Sequence, residues 1–171
     1  VASAEPAGSG LQSALDSLVS SPALASLQSQ PEVVFIRGFV GLGAGMSSSE
    51  VAGLAEVAAV QCPQWIAPPL LKAWALMNAS SANIRSTAVP LLERALEAQT
   101  LSKDTRADAH VRLARLREAE PDKVVSISTA VIERFSDTKS IGQAYLLRGV
   151  ARLTLDRQAL GTIPPDRWAD A

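Results

Sequence analysis

Chemistry-bearing residues are sparse in this chain. His110 is its single histidine and Cys62 its single cysteine. Histidine-rich and cysteine-based metal sites are therefore excluded, no internal disulfide can form, and nothing marks a catalytic triad. His110 reads as a helix-surface histidine and Cys62 as a buried structural thiol. The one hint of a phosphate loop is Gly41-X-Gly43 ahead of a helix. A dinucleotide fingerprint needs its third glycine at position 46, where Met46 stands; sliding the frame by two puts Ser48 there. No clear second strand with an acidic end follows. Glu118, Glu120 and Asp122 gather at a turn, where solvated capping explains them better than acid–base work. Asn78-Ala79-Ser80 has the form of a glycosylation sequon, and a polar turn explains it equally well. No catalytic residue, cofactor site or small-molecule substrate is indicated.

Arg112, Arg115, Arg117 and Lys123 form a modest basic strip, which brings RNA into consideration. The acidic residues beside it and a sequence pI of about 5.9 weigh against nucleic acid as the partner. With a net charge of −1, the chain has no global field to draw it to nucleic acid or anionic lipid.

Charge is distributed unevenly. Residues 1–100 carry 11 charged side chains and residues 101–171 carry 22. From Glu32 to Ser80 only Glu32, Arg37, Glu50, Glu56 and Lys72 are charged. Surface helices ordinarily show a polar face, so a segment this poor in charge is expected to be covered. The most membrane-like run, Val33 to Met46, has 14 residues and includes Arg37; a spanning helix needs about 20 apolar residues. No transmembrane segment is expected.

The elements read as helices. Hydrophobic residues make up 47% of the chain, but aromatics only 4%, which favours closely packed helices over a β-sandwich. Residues 1–10 read as a flexible arm and 11–30 as cap helices. Val33 to Ile36 would suit a strand, and Gly38, Gly41, Gly43 and Gly45 weaken a helix. The stretch 32–45 is nevertheless expected to be helical, because later segments repeat its pattern. Ser47 and Glu50 have capping-box spacing for the next helix. Pro63 ends that helix, and Pro68-Pro69 open another. Asn78 to Asn83 reads as a polar turn. Pro90 either bends its helix or lies just after the start. Asp104 is the expected N-cap of a helix from Thr105, and Thr138 or Ser140 of a helix running to about Arg157. Asp166 could cap a last turn holding Trp168.

Four of these helices carry a small residue at mid-length: Arg37-Gly38, Lys72-Ala73, Leu113-Ala114 and Arg148-Gly149. The spacings are 35, 41 and 35 residues. Repetition at this period is the mark of an α-solenoid, in which stacking buries what no single repeat can. AVIERFSDT followed by AYLLRGVARLTLD, and Ala88 and Ala95 around PLLERALEA, resemble the tetratricopeptide repeat family. The resemblance covers residues 32–157 and is more specific in the second half. It implies an all-α solenoid of antiparallel helix hairpins, about three and a half TPR-like repeats. The repeat domain would span 11–171, with repeats at 32–66, 67–104 and 105–138 and a partial repeat with a C-terminal tail at 139–171.

Such a fold suits a non-enzymatic protein–protein interaction scaffold, a structural or accessory subunit docked on other protein subunits through its charge-poor N-terminal half. The alternatives are an RNA-binding helical repeat and a transient adaptor of chaperone or assembly-factor type. The adaptor would take a hydrophobic peptide in an apolar groove. The candidate partner-binding residues are Phe35, Phe39, Trp65, Leu70, Trp74 and Arg115. The groove register also includes Val111, Leu146 and Val150. Arg115 is the only charge at those positions, which disfavours a carboxylate clamp. The start at Val1 is compatible with a processed mitochondrial, chloroplast or exported protein.

Overall fold

The computed structural model describes residues 27–161 continuously, with residues 10, 13, 14, 17 and 20–22 ahead of them. Most of the expected arm and cap helices, and the turn at Asp166 and Trp168, lie outside the described residues. The elements are α1 (Pro31–Ala44), α2 (Ser48–Gln61), α3 (Ala67–Met77), α4 (Ala82–Ser86), α5 (Ala88–Glu97), α6 (Lys103–Leu116), α7 (Pro121–Arg134) and α8 (Ile141–Gly161). Among the described residues there is no strand. The chain divides into two compact units, Val1–Ala98 and Gln99–Ala171.

In the first unit α1 packs on α2, α2 on α3, and α3 on α5; α1 also reaches α3. The glycine-rich stretch is helical, as its periodicity implies. Pro31 at the first position pre-sets the helical φ, and Gly45 closes α1 in the left-handed region at φ 87°. Two glycines pay for their poor helix propensity through close packing. A Cβ on Gly38 would lie 3.2 Å from Leu71 Cδ2 and 3.3 Å from Leu54 Cβ, while one on Gly41 would strike Met46 at 2.8 Å. The capping box forms: the Glu50 N–H donates to Ser47 Oγ at 3.3 Å, and the Ser47 N–H donates to Glu50 Oε2 at 3.2 Å. Val51, Ala52, Ala55, Leu71 and Ala75 build the core, with Phe35, Leu42, Met46 and Leu76 against it.

The connection after α3 departs from the expected polar turn. Residues 82–86 form the short helix α4, and Arg85 pins the preceding loop by donating to the carbonyls of Ala79 and Ser80, each at 2.9 Å. Pro90 follows closely on a helix start, and Thr87 alone separates α5 from α4. The proline lies in the first turn of α5, where the N–H it lacks would have had no helical partner.

In the second unit α6 packs on α7, α7 on α8, and α6 on α8. The N-cap of α6 is Ser102, two residues before the expected Asp104: its side chain accepts the Thr105 N–H at 3.2 Å. Asp104 falls inside the first turn instead, where it complements the helix dipole. α8 begins directly after Ser140, whose carbonyl accepts the Ala144 N–H at 3.1 Å, and runs past Arg157 to Gly161. One core cluster joins Ala107, Val111, Val131, Phe135 and Ala144; another joins Ala114, Val124 and Ala151.

Candidate functional site

Three of the six candidate residues converge in the first unit. Phe35 and Phe39 are four apart on α1 and so share a face; their rings stack at 6.2 Å between centroids. Trp65 reaches Phe35 from the turn between α2 and α3. That turn is closed by the Trp65 N–H donating to the Cys62 carbonyl at 3.0 Å, and it brings the indole to 4.7 Å from the Phe35 ring. Phe39 remains 52% exposed at the edge of this cluster, and Ile36 beside it is 45% exposed. Next to Trp65 a cleft of about 550 Å³ is lined by Glu32, Cys62, Pro63, Gln64 and Trp65. Cys62 is half-buried on this cleft rather than sealed in the core.

The other three candidates lie elsewhere. Leu70 is 3% exposed and belongs to the packing of α3. Trp74, one turn further on, is half-buried. Arg115 stands on α6 in the second unit, exposed, where it donates to Gln143 Oε1 at 3.2 Å.

Electrostatics sharpen the contrast already visible in the charge count. Of the five charges between Glu32 and Ser80, Glu56 and Lys72 neutralise each other in an ion pair linking α2 to α3. Glu50 is held by the capping box, and the Ser47 hydrogen bonds keep its carboxyl below the usual value. Arg37 is half-buried. Glu32 is the charge left at the aromatic cluster, lining the cleft.

The residues weighed for chemistry take structural places. Gly41 and Gly43 sit inside α1, not in a loop between a strand and a helix. His110 is half-buried, not on the helix surface, with Phe135 5.8 Å away. Burial is the first cause that lowers its pKa from 6.5, followed by Arg106 and Arg134. Glu120 is held below its usual value by Lys123 and Arg117 at the start of α7. Among the described residues no three potential metal ligands cluster, and no helix is long and apolar enough to cross a membrane.

One feature lay outside the six candidates. Tyr145, Leu146, Val150 and Leu153 on α8 are 53%, 66%, 56% and 61% exposed. The signal is in the sequence: α8 is apolar on the face formed by Ala144, Leu147 and Ala151 and again on the opposite one. No protein-family model matches the chain, and no curated protein or solved structure matches it.

Proposed function

We propose that this chain is a protein-binding scaffold, an α-solenoid of about three and a half TPR-like repeats. In this reading it serves as a structural or accessory subunit of a larger assembly. It docks on another protein subunit through its charge-poor half, residues 32–80. The observation that carries the reading is the aromatic cluster in which Phe35 stacks on Phe39 and Trp65 tilts against Phe35. It leaves Phe39 half exposed and an open cleft beside Trp65, on a surface whose charges are largely consumed internally. Aromatic anchors carry a disproportionate share of interface energy, and interface centres are depleted in charge. The repeat reading draws support from the packing within each unit. Successive helices pair, and the first helices of neighbouring hairpins meet, α1 with α3 and α6 with α8.

Purification from the native source tests the role. The wild-type chain should return with a partner subunit in fixed ratio, and Phe39→Ser should return folded but without it. Recovery of the wild type as a lone, stable monomer would refute the assembly reading.

A further inference from the structure

We propose that the outer face of α8 docks an amphipathic helix from a partner protein, one whose apolar stripe is edged by acidic side chains. The inference is independent of the aromatic cluster on α1. It starts from the four small residues that mark the helix centres. Gly38 lies under Leu54 and Leu71, and Ala73 and Ala114 are fully buried. Gly149, the fourth, is exposed, and a Cβ built on it meets nothing within 4 Å. The close helix crossing that the other three positions support is unfilled here among the described residues.

The face around Gly149 is built as a contact surface. Gly142, Tyr145 and Leu146, Gly149 and Val150, and Leu153 recur at helical spacing. The four larger residues are each more than half exposed. A Cβ at Gly142 would likewise meet nothing within 4 Å, so the stripe has two shallow notches between its large side chains. Leu146 and Val150 also form one wall of a groove of about 400 Å³, opposite Pro121 and Val124 of α7. A helix with apolar residues on two opposite faces is the pattern of one covered on both sides. A helix laid in such a groove is read through side chains at i, i+3, i+4 and i+7.

Charge selects the occupant. α8 carries Arg148, Arg152 and Arg157 against Asp156 alone. Arg148 lies 5.3 Å over the Tyr145 ring centroid, which holds a positive charge at the margin of the stripe. Arg152 and Arg157 are exposed. Glu118, at the α7 end of the groove, is the acidic exception on the opposite wall. A second copy of α8 would bring the same positive excess to the contact. A helix edged by glutamate or aspartate would complement it.

The test titrates the full chain with two synthetic helical peptides that share one leucine stripe, edged in one by glutamates and in the other by lysines. Fluorescence anisotropy should show the glutamate-edged peptide binding at least about tenfold more tightly. Leu153→Asp, an exposed position whose folding is checked by circular dichroism, should abolish binding. Arg152→Glu with Arg157→Glu should reverse the preference, and Gly149→Leu should weaken binding by filling the notch. Equal binding of both peptides, or of neither, would overturn the proposal. A dimer of the chain in sedimentation that Leu153→Asp dissolves would overturn it too, by assigning the face to a second copy. None of these outcomes bears on Phe39.

Discussion

The two units solve the same packing problem with different means. The first is held by shape: a capping box, prolines at helix starts, and helices brought into close approach over Gly38, together with the Lys72–Glu56 ion pair. The second adds ion pairs to its core. Arg112 meets Asp108 at 2.5 Å, Arg117 meets Glu120 at 2.8 Å, Lys123 also reaches Glu120, and Lys103 meets Asp137 at 2.5 Å. These pairs are partly or largely solvent-exposed, so solvent screening leaves each with little effect on stability. Their value is in keeping a helical surface wet. In the first unit α1 and α2 largely lack that surface, and Ile36, Phe39, Val57 and Val60 are exposed on them. In the second unit, exposure of large apolar side chains is concentrated on α8.

Variants can break or sharpen this contrast. The largest effect is expected from Leu71→Ala, which empties a side chain only 1% exposed at the centre of the first core. Denaturant titration should show a loss of about 2–5 kcal/mol. Gly38→Leu and Gly149→Leu make a matched pair. The first forces a side chain against Leu54 and Leu71 and should cost at least about 1–3 kcal/mol. The second should cost nothing and, like Gly149→Ala, should stabilise by up to about 1 kcal/mol by improving helix propensity. Equal costs at 38 and 149 would remove the distinction between a filled and an open helix crossing.

Ser128 is 1% exposed, and its Oγ has no hydrogen-bond partner among the described residues. Ser128→Ala should therefore be neutral or stabilising by up to about 1 kcal/mol, measured in the same way.

The smallest effect concerns pH. The folded state lowers the His110 pKa below 6.5, chiefly by burial, so the unfolded chain takes up that proton first. Stability should fall as pH drops below 6.5 and stop falling once the folded value is passed. His110→Gln should flatten that slope. Glu120 and Asp137 act at lower pH. Their carboxyls are held below 4.5 and 3.8, so their contribution is present above those values and is lost as pH falls through the lowered ones.

Much of the fold was legible because local rules agreed with each other. Ser47 and Glu50 could be read as a capping box, and Pro68 and Pro69 mark a helix start. The period linking Gly38 to Gly149 overrode the poor helix propensity of residues 38–45. The errors were local. Asp104 and Ser102 are both good N-caps two residues apart, and only the hydrogen bond to Thr105 separates them. Residues 82–86 form one turn of helix held by Arg85, a tertiary feature that composition does not carry. The aromatic cluster was half legible. Phe35 and Phe39 share a face by spacing, but Trp65 joins them only because the turn at Cys62 folds back. Leu70 looked like a groove position because spacing alone cannot tell a concave face from a packed one. On the outer face of α8 the spacing marked Leu146 and Val150 as groove positions but not Tyr145 or Leu153, because the abundant arginines around them suggest a solvated helix.

The central claim is that the charge-poor surface around Phe39 is an interface. A photo-crosslinking residue placed at position 39, with a control at exposed Glu133, tests it most directly in the native source. The account predicts one discrete adduct from position 39, lost when Trp65→Ser is introduced, and none from position 133. No adduct at 39, with crosslinks arising only from residues 101–171, would contradict it.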